Sequence, residues 1–296
     1  MPGPDTPVPV PEDAAQDRLH RSLAAFNRVR MRPGLPSDHR PAECDTQALL
    51  RAEAAFLDAS VAEVTAIAAA APADPASFVT WFEQLDRNGP GQGDALFPWL
   101  ATTAPRDAMR WFLAQEVAGE AGFEDLTALV QVRMPVRPKL ELARNYWDEM
   151  GRGDRKGMHG PMLETLARAM RLTPAPDTTV WQSLALANTM AGLAAHRHYA
   201  FHAIGALGVI ELTAPGRAAM VAAGLKRLGI PAADRHYFDL HAILDKKHSA
   251  AWNAEVIAPL VAEDTRRARA IAEGALMRLR CGAACFRCYR RVLRVG

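Results

Sequence analysis

Residues 231–248 read PAADRHYFDLHAILDKKH, a stretch whose apolar residues recur at helical spacing. Within it, His241, Asp245 and His248 follow one another at steps of four and three residues. On an α-helix such steps place all three side chains on one face, within about a quarter of the circumference. The stretch therefore predicts a helix whose polar face is either solvated or one wall of a metal site.

The rest of the chain repeats this helical pattern. Proline or glycine marks most of the breaks between segments, and no stretch shows the sustained two-residue alternation of a strand. The segments that predict helices are 14–30, 46–71, 74–87, 104–132, 137–150, 160–170, about 178–212, 215–229, 231–248 and 251–280. We predict an all-α, single-domain helical bundle over residues 41–296, preceded by a flexible Pro-rich N-terminal segment, residues 1–40, that contains a short helix.

The bulk composition narrows the classes of partner. The 296 residues are 49% hydrophobic and 23% charged, with a net charge of +2. This balance gives no broad field for binding nucleic acid or an anionic membrane. No run of 18 apolar residues exists, and the N-terminus has neither a basic start nor an apolar signal core. We therefore expect a cytoplasmic protein without nucleic-acid or membrane partners.

Three of the four cysteines, Cys281, Cys285 and Cys288, form a C-x3-C-x2-C cluster near the C-terminus. The same spacing is used by radical enzymes to hold an iron–sulfur cluster. Here no βα units follow it, and the three positions share one helical face, where free cysteine behaves as a small apolar residue. Core packing is the favoured interpretation, and a metal site is the alternative.

Several polar residues fall where a helical bundle should have its core. Glu211 lies in the apolar stretch FHAIGALGVIEL, where an ionised carboxylate needs a cation, either a metal or a buried arginine. Glu149 and His159 bracket the glycine-rich break DEMGRGDRKGMH, whose glycines allow a sharp turn. Such a turn lets the end of one helix and the start of the next point into one pocket.

Two further groups of polar residues occur at four-residue steps. Glu116, Glu120 and Glu124 form a run that is typically a solvated stripe, but the apolar residues around them indicate that one glutamate turns inward. His198 and His202 form a pair that no carboxylate flanks. We expect a structural or pocket-lining role for that pair.

The inward candidates suit a particular kind of metal. Oxygen ligands mixed with two or three imidazoles favour iron or manganese over a structural zinc site, which would contain more thiolate. Carboxylates can bridge two metals, and helical bundles often hold such dinuclear sites. The chain has none of the Glu-x-x-His pairs of ferritin-like proteins. The ligand chemistry is thus similar to theirs, but the fold should differ.

The ordered set of candidates resembles the heme-oxygenase-like diiron oxidases and oxygenases, often called iron-containing redox enzymes. Their pattern is an early Glu, a Glu and a His around a Gly-rich turn, a later Glu, and then His-x3-Asp-x2-His. The resemblance covers roughly residues 75–280 and implies a heme-oxygenase-like bundle. We take Glu116 as the early Glu, with Glu120 as the alternative. The metal ligands that the resemblance implies are Glu116, Glu149, His159, Glu211, His241, Asp245 and His248.

The resemblance also implies a function. Two non-heme iron ions per chain would activate O2 for N-oxygenation or oxidative C–C cleavage of a small amine, amino acid or carboxylic acid. No catalytic residue beyond the metal ligands is implied, while an electron donor and a homodimer remain open. Trp147, His198 and Tyr199 are candidates for the substrate pocket. The alternatives are a heme-binding or heme-degrading protein of the same fold, with His20 as proximal ligand, and a non-catalytic helical interaction protein.

Overall fold

The computed structural model describes residues 11–35, 43–119 and 122–296, and these residues form an all-α bundle. Within those ranges the one extended feature is an isolated bridge between Met150 and Met158. The helices are α1 (Pro11–Met31), α2 (Glu43–Ala68), α3 (Pro75–Asn88), α4 (Leu96–Thr102), α5 (Arg106–Gly119), α6 (Phe123–Val130), α7 (Val136–Glu149), α8 (His159–Ala169), α9 (Trp181–Ala195), α10 (Ala200–Arg227), α11 (Ala232–Ala251), α12 (Ala258–Glu263) and α13 (Arg266–Leu293). The predicted fold class is confirmed.

The N-terminal region differs from the expected flexible segment with a short helix. Helix α1 is 21 residues long and packs mainly against α9. Its inward side carries Leu23, which is fully buried, and Asn27, whose amide donates a hydrogen bond to Asn188 Oδ1 at 3.0 Å. Residues 1–10 and 36–42 lie outside the described part of the chain. For residues 1–10 and 36–40 the prediction of flexibility therefore lies outside the described residues.

The segment 104–132, predicted as one helix, forms two. Helix α5 ends at Gly119, and α6 begins at Phe123 after Gly122, whose φ of 72° lies in the left-handed region. Glycine adopts that conformation without the steric cost of a Cβ atom. The apolar spacing continues across the break because both helices bury residues in the same bundle, so periodicity alone could not locate it.

Helix α10 runs through a proline where the pattern indicates a break. Pro215 lies inside the 28-residue helix, whereas a 3-10 turn over Arg197–Tyr199 separates α9 from α10. Proline has no N–H to donate to the residue four positions earlier, and its ring crowds that carbonyl group. The residue affected is Glu211, so the regular ladder is interrupted at a polar candidate residue.

The centre of the bundle is the packing of α10 against α13 and α11. Glycines permit a close crossing of α10 and α13, since a Cβ on Gly205 would lie 1.9 Å from the carbonyl oxygen of Ile271 and one on Gly274 would lie 1.9 Å from that of His202. The segment Arg197–Arg227 is long and apolar enough to cross a membrane by length and composition. However, 61% of its most apolar window is buried inside the bundle, which is the environment of a core helix.

A π-helical segment, Trp252–Ile257, joins α11 to α12. It begins four residues after His248, and the N–H of Trp252 donates to the carbonyl oxygens of His248 and Ser249. The indole of Trp252 is buried and donates to Ile204 O at 3.2 Å. The widened turn thus lies directly after the polar face of α11, and such turns are frequent at functional sites.

Candidate metal centre

The turn between α7 and α8 brings Glu149 and His159 together. Gly151 and Gly153 have φ values of 61° and 87°, and a Cβ on Gly151 would lie 2.3 Å from the carbonyl carbon of Gly157. The chain can therefore reverse tightly only with glycine at residue 151. As a result, Glu149 Oε2 lies 2.5 Å from His159 Nδ1, and both side chains are buried.

Helix α11 supplies the opposite wall. The rings of His241 and His159 have centroids 4.5 Å apart, and His241 Nδ1 donates to the carbonyl oxygen of Tyr237 at 2.6 Å. His248 Nε2 donates to Asp148 Oδ2 at 3.1 Å. Each hydrogen bond fixes the orientation of its imidazole and leaves the other ring nitrogen available as a ligand, as is usual for metal-binding histidines.

Glu211 on α10 lies between these two walls. It is 2% exposed, and its Oε1 accepts a hydrogen bond of 2.6 Å from Asn145 Nδ2. Its Oε2 lies 3.4 Å from His248 Nδ1, which in turn is 4.0 Å from Glu149 Oε1. Three helices and one turn thus bring these groups to one place.

The described side chains form two groups able to hold a metal. Glu149, His159 and His241 make one, and Glu149, Glu211 and His248 make the other; within each group the donor atoms lie within 4.8 Å of one another. Glu149 belongs to both. One carboxylate shared by two groups of oxygen and nitrogen donors is the arrangement that a bridged pair of ions requires.

Asp245 belongs to neither group but lies beside both. It is 2% exposed, and burial together with the charges of Glu211 and Glu149 raises the pKa of its carboxyl group. Its Oδ1 has no hydrogen-bond partner among the described residues, and neither has His159 Nε2. Crowded, buried carboxylates with unpaired atoms are costly unless a cation lies among them. The donor set therefore fits a metal.

The histidines differ in their pKa shifts. Burial, together with the charges of neighbouring imidazoles, lowers the pKa of His159 and of His241 to about 4. Burial also opposes the charged form of His248, but its contact with Glu211, its hydrogen bond with Asp148 and the charge of Glu149 raise its pKa to about 9. His159 and His241 are therefore neutral near neutral pH, as metal binding requires. His248 must lose a proton before it can bind a metal.

The structure places the three glutamates of the four-residue series differently. Glu116 lines the cavity, but its Oε1 accepts a hydrogen bond of 3.0 Å from Tyr289, and it belongs to neither group of donors. Glu120 lies outside the described residues. Glu124 lies in the first turn of α6, after the break. Its Oε1 would lie 3.3 Å from a Cβ atom added to Gly160, the residue that follows His159.

Glu124 is a functional candidate that sequence reasoning did not select. It lines the same cavity, and its charge raises the pKa of His159 against the effect of burial. Glu124 belongs to the four-residue series, whose spacing predicts a single stripe on one helix. Because the helix breaks between Gly119 and Phe123, Glu124 points independently of Glu116.

The residues expected in the substrate pocket lie elsewhere. Trp147 is 52% exposed and covers Gly153 on the outer side of the turn. His198 is exposed, and Tyr199 is buried where its hydroxyl donates to Asp58. None of the three lines the cavity beside the donor groups. His202, paired with His198 in the sequence, lies with its Nε2 3.3 Å from Glu273 Oε2, and burial lowers the pKa of its imidazole.

The cysteines and His20 are also separate from the donor groups. Cys285 and Cys288 lie in a hydrophobic core cluster, and burial raises the pKa of both thiols. Among the described residues no cysteine belongs to a group able to hold a metal. His20 is 1% exposed and stacks against Trp181 at 5.8 Å, on a different cavity.

The donor groups open onto a cavity of about 220 Å³. Its walls are mainly apolar. All members of the two donor groups line it except His248. Pockets that are apolar with a few placed polar groups are typical of small-molecule sites. The arrangement thus places two groups of candidate donors, which share Glu149, beside a space for a small organic molecule.

Comparison with known proteins gives a family but no close relative. The family model described as "Iron-containing redox enzyme" matches residues 110–283, which is more than half of the chain and contains all the donor residues above. No curated protein matches the sequence.

Proposed function

We propose, from the premise that this chain belongs to the iron-containing redox enzyme family, that it is a non-heme diiron enzyme that uses O2 to oxidise a small organic substrate. Family membership supports an iron-dependent oxidoreductase. The nuclearity rests on one observation, the sharing of Glu149 between two buried groups of donors.

The proposed ligands divide between two ions. Glu149, His159 and His241 would hold the first, with Glu124 as the nearby carboxylate that completes the set. Glu149, Glu211 and His248 would hold the second, and Asp245 lies beside Glu211 and Glu149, where it can serve either ion. Glu116 remains a weaker candidate because Tyr289 already occupies its Oε1.

The protein's own contribution is to orient these donors. Tyr237 O and Asp148 hold His241 and His248 by their non-ligating nitrogens. Asn145 holds Glu211 Oε1, which leaves Oε2 directed at the site. Partners of this kind fix ring orientation and raise ligand basicity. The donors are thus oriented by two side chains of α7 and by one backbone carbonyl group of α11.

The chemistry follows from the donors and the cavity. Two ferrous ions bound there would supply two of the electrons that O2 accepts, and the substrate or an electron donor would supply the remainder. The buried apolar walls exclude water and hold the substrate next to the donors, which limits wasteful side reactions. N-oxygenation and oxidative C–C cleavage are both compatible with this arrangement.

The proposal is tested by the oxygen consumption of the iron-loaded protein. Protein loaded with Fe²⁺ without oxygen is mixed with aerated buffer, and the O2 consumed per chain is recorded with a panel of amines and carboxylic acids. Fast uptake that a panel member stimulates supports the proposal. Glu164→Ala, at a side chain that is 71% exposed and outside the cavity, is the matched control and should behave like the wild type, whereas Glu211→Ala should lose the fast uptake. Equal, slow oxidation in all three proteins would refute it.

A further inference from the structure

The cavity contains a second polar group besides the donors. Arg217 on α10, Arg278 on α13 and Glu116 on α5 all line it, and both arginines are partly buried. None of the three belongs to a donor group. The proposed function assigns no role to the two arginines.

Neither arginine forms an ion pair at 4.0 Å or less with an acidic side chain of the described residues, although both lie close enough to Glu116 to act on its pKa. Arg217 donates to Thr213 Oγ1 at 2.8 Å, and its guanidinium lies over the ring of Phe286 at 5.5 Å. Arg278 Nε is buried without a hydrogen-bond partner. Both groups therefore retain free donors next to the cavity.

Glu116 does not balance these charges. Burial raises the pKa of its carboxyl group, although Tyr289, Arg278 and Arg217 act in the opposite direction. Burial and the charge of Arg278 together lower the pKa of Arg217 to about 10, against the charges of Glu116 and Asp86. Two guanidinium groups thus lie near the single carboxyl group of Glu116, so these three cavity-lining side chains together carry a positive charge. Asp86 acts on Arg217 but does not line the cavity.

A small anion would satisfy this part of the cavity. A buried cation without a partner is costly, and the planar guanidinium donates two parallel hydrogen bonds to a carboxylate. The remaining lining of the cavity is mainly apolar and includes Leu163, Leu186 and Val221. That surface suits a hydrocarbon chain or ring.

We infer that Arg217 and Arg278 bind the carboxylate of the substrate, which is a small monocarboxylic acid with an apolar body. This inference rests on the proposed function and deepens it. The carboxylate is held away from the donor groups, so the opposite end of the molecule lies beside them. Arg217 and Arg278 are thus specificity-determining residues.

The test uses hexanoate, hexan-1-ol and hexylamine as probes of equal chain length and different charge. Binding is measured by titration calorimetry on metal-free protein and repeated on iron-loaded protein without oxygen. Hexanoate should bind more tightly than the other two in both states. Arg217→Gln and Arg278→Gln should each weaken hexanoate binding about tenfold or more, because a charge-assisted hydrogen bond is lost, and should leave hexan-1-ol binding unchanged.

The matched control is Arg266→Gln, at a residue of α13 whose side chain is 89% exposed. It should bind hexanoate like the wild type. Circular dichroism reports whether each variant is folded. If a variant does not fold, the comparison of hexanoate with the other two probes on wild-type protein still tests the inference. The inference is overturned if hexanoate binds no more tightly than hexan-1-ol, or if both folded variants bind it like the wild type. Iron content is measured separately and reports on the metal centre alone. A protein that does not bind iron can therefore be distinguished from one that does not prefer hexanoate.

Discussion

Replacing Asp245 by asparagine is expected to stabilise the metal-free protein and to weaken its binding of iron. The side chain is 2% exposed, and burial with the charges of Glu211 and Glu149 raises the pKa of its carboxyl group from 3.8 to about 10. Above about pH 4 the unfolded chain releases this proton while the folded chain keeps it. Folding stability is therefore lost as the pH rises through this range.

The size of the stability loss follows from the number of pH units over which only the unfolded chain releases the proton. Each pH unit contributes about 1.4 kcal/mol, so the cost of Asp245 grows from nothing near pH 4 to at most about 4 kcal/mol near pH 7. Asparagine has nearly the same shape and cannot ionise, which removes the pH-dependent cost. The variant should thus be more stable than the wild type near neutral pH and close to it in acid.

Urea unfolding of both metal-free proteins at about pH 4.5 and about pH 7 measures the difference in the free energy of unfolding. Asp107→Asn, at a side chain that is 95% exposed, removes the same charge from the surface and should change stability by less than about 0.5 kcal/mol. With iron bound, the wild type should instead have the larger free energy of unfolding, because Asp245→Asn binds iron more weakly. A stability difference that is the same at both pH values, or is absent, would refute the reasoning.

Three further changes test single features. Gly151→Ala should destabilise the protein by about 1–3 kcal/mol and lower its iron content, because alanine would need a positive φ and its Cβ would meet Gly157; an unaffected melting temperature would contradict the role of the turn. Asp148→Asn should weaken iron binding about 10–100-fold through the loss of orientation of His248; unchanged affinity in a competition assay would show that Asp148 is dispensable. Cys285→Ser should leave the iron content unchanged by metal analysis, and loss of iron would assign the metal to the cysteines.

Much of the candidate site could be predicted because its spacing is local. His241, Asp245 and His248 share a face of one helix, and a glycine-rich turn needs only a few residues to bring Glu149 and His159 together. Glu211 was identified by its apolar neighbours. Each of these inferences depends on neighbouring residues in the sequence, and the structure brings all six side chains to one place.

The features that were missed depend on long-range packing. Glu124 was not selected because the series Glu116, Glu120 and Glu124 was placed on one helical face, whereas Gly122 ends the helix before Glu124; Glu116 as the first ligand stays a prediction. Trp147 was predicted to line the substrate pocket. It precedes Glu149 by two residues, which on a helix is a rotation of about 200°, so its side chain points away from the site. Arg217 and Arg278 attracted no attention because arginines on helices are usually solvated. Their position in the cavity depends on the packing of α5, α10 and α13.

The central claim is that two irons share Glu149, and iron content per chain tests it most directly. Wild-type protein and Glu149→Ala are loaded with Fe²⁺ without oxygen, freed of unbound metal and analysed for iron, with circular dichroism to confirm that both are folded. The wild type is predicted to hold about two irons per chain, and Glu149→Ala to hold close to none, because both donor groups lose the same carboxylate. One iron per wild-type chain, or a folded Glu149→Ala that retains wild-type iron, would contradict the account.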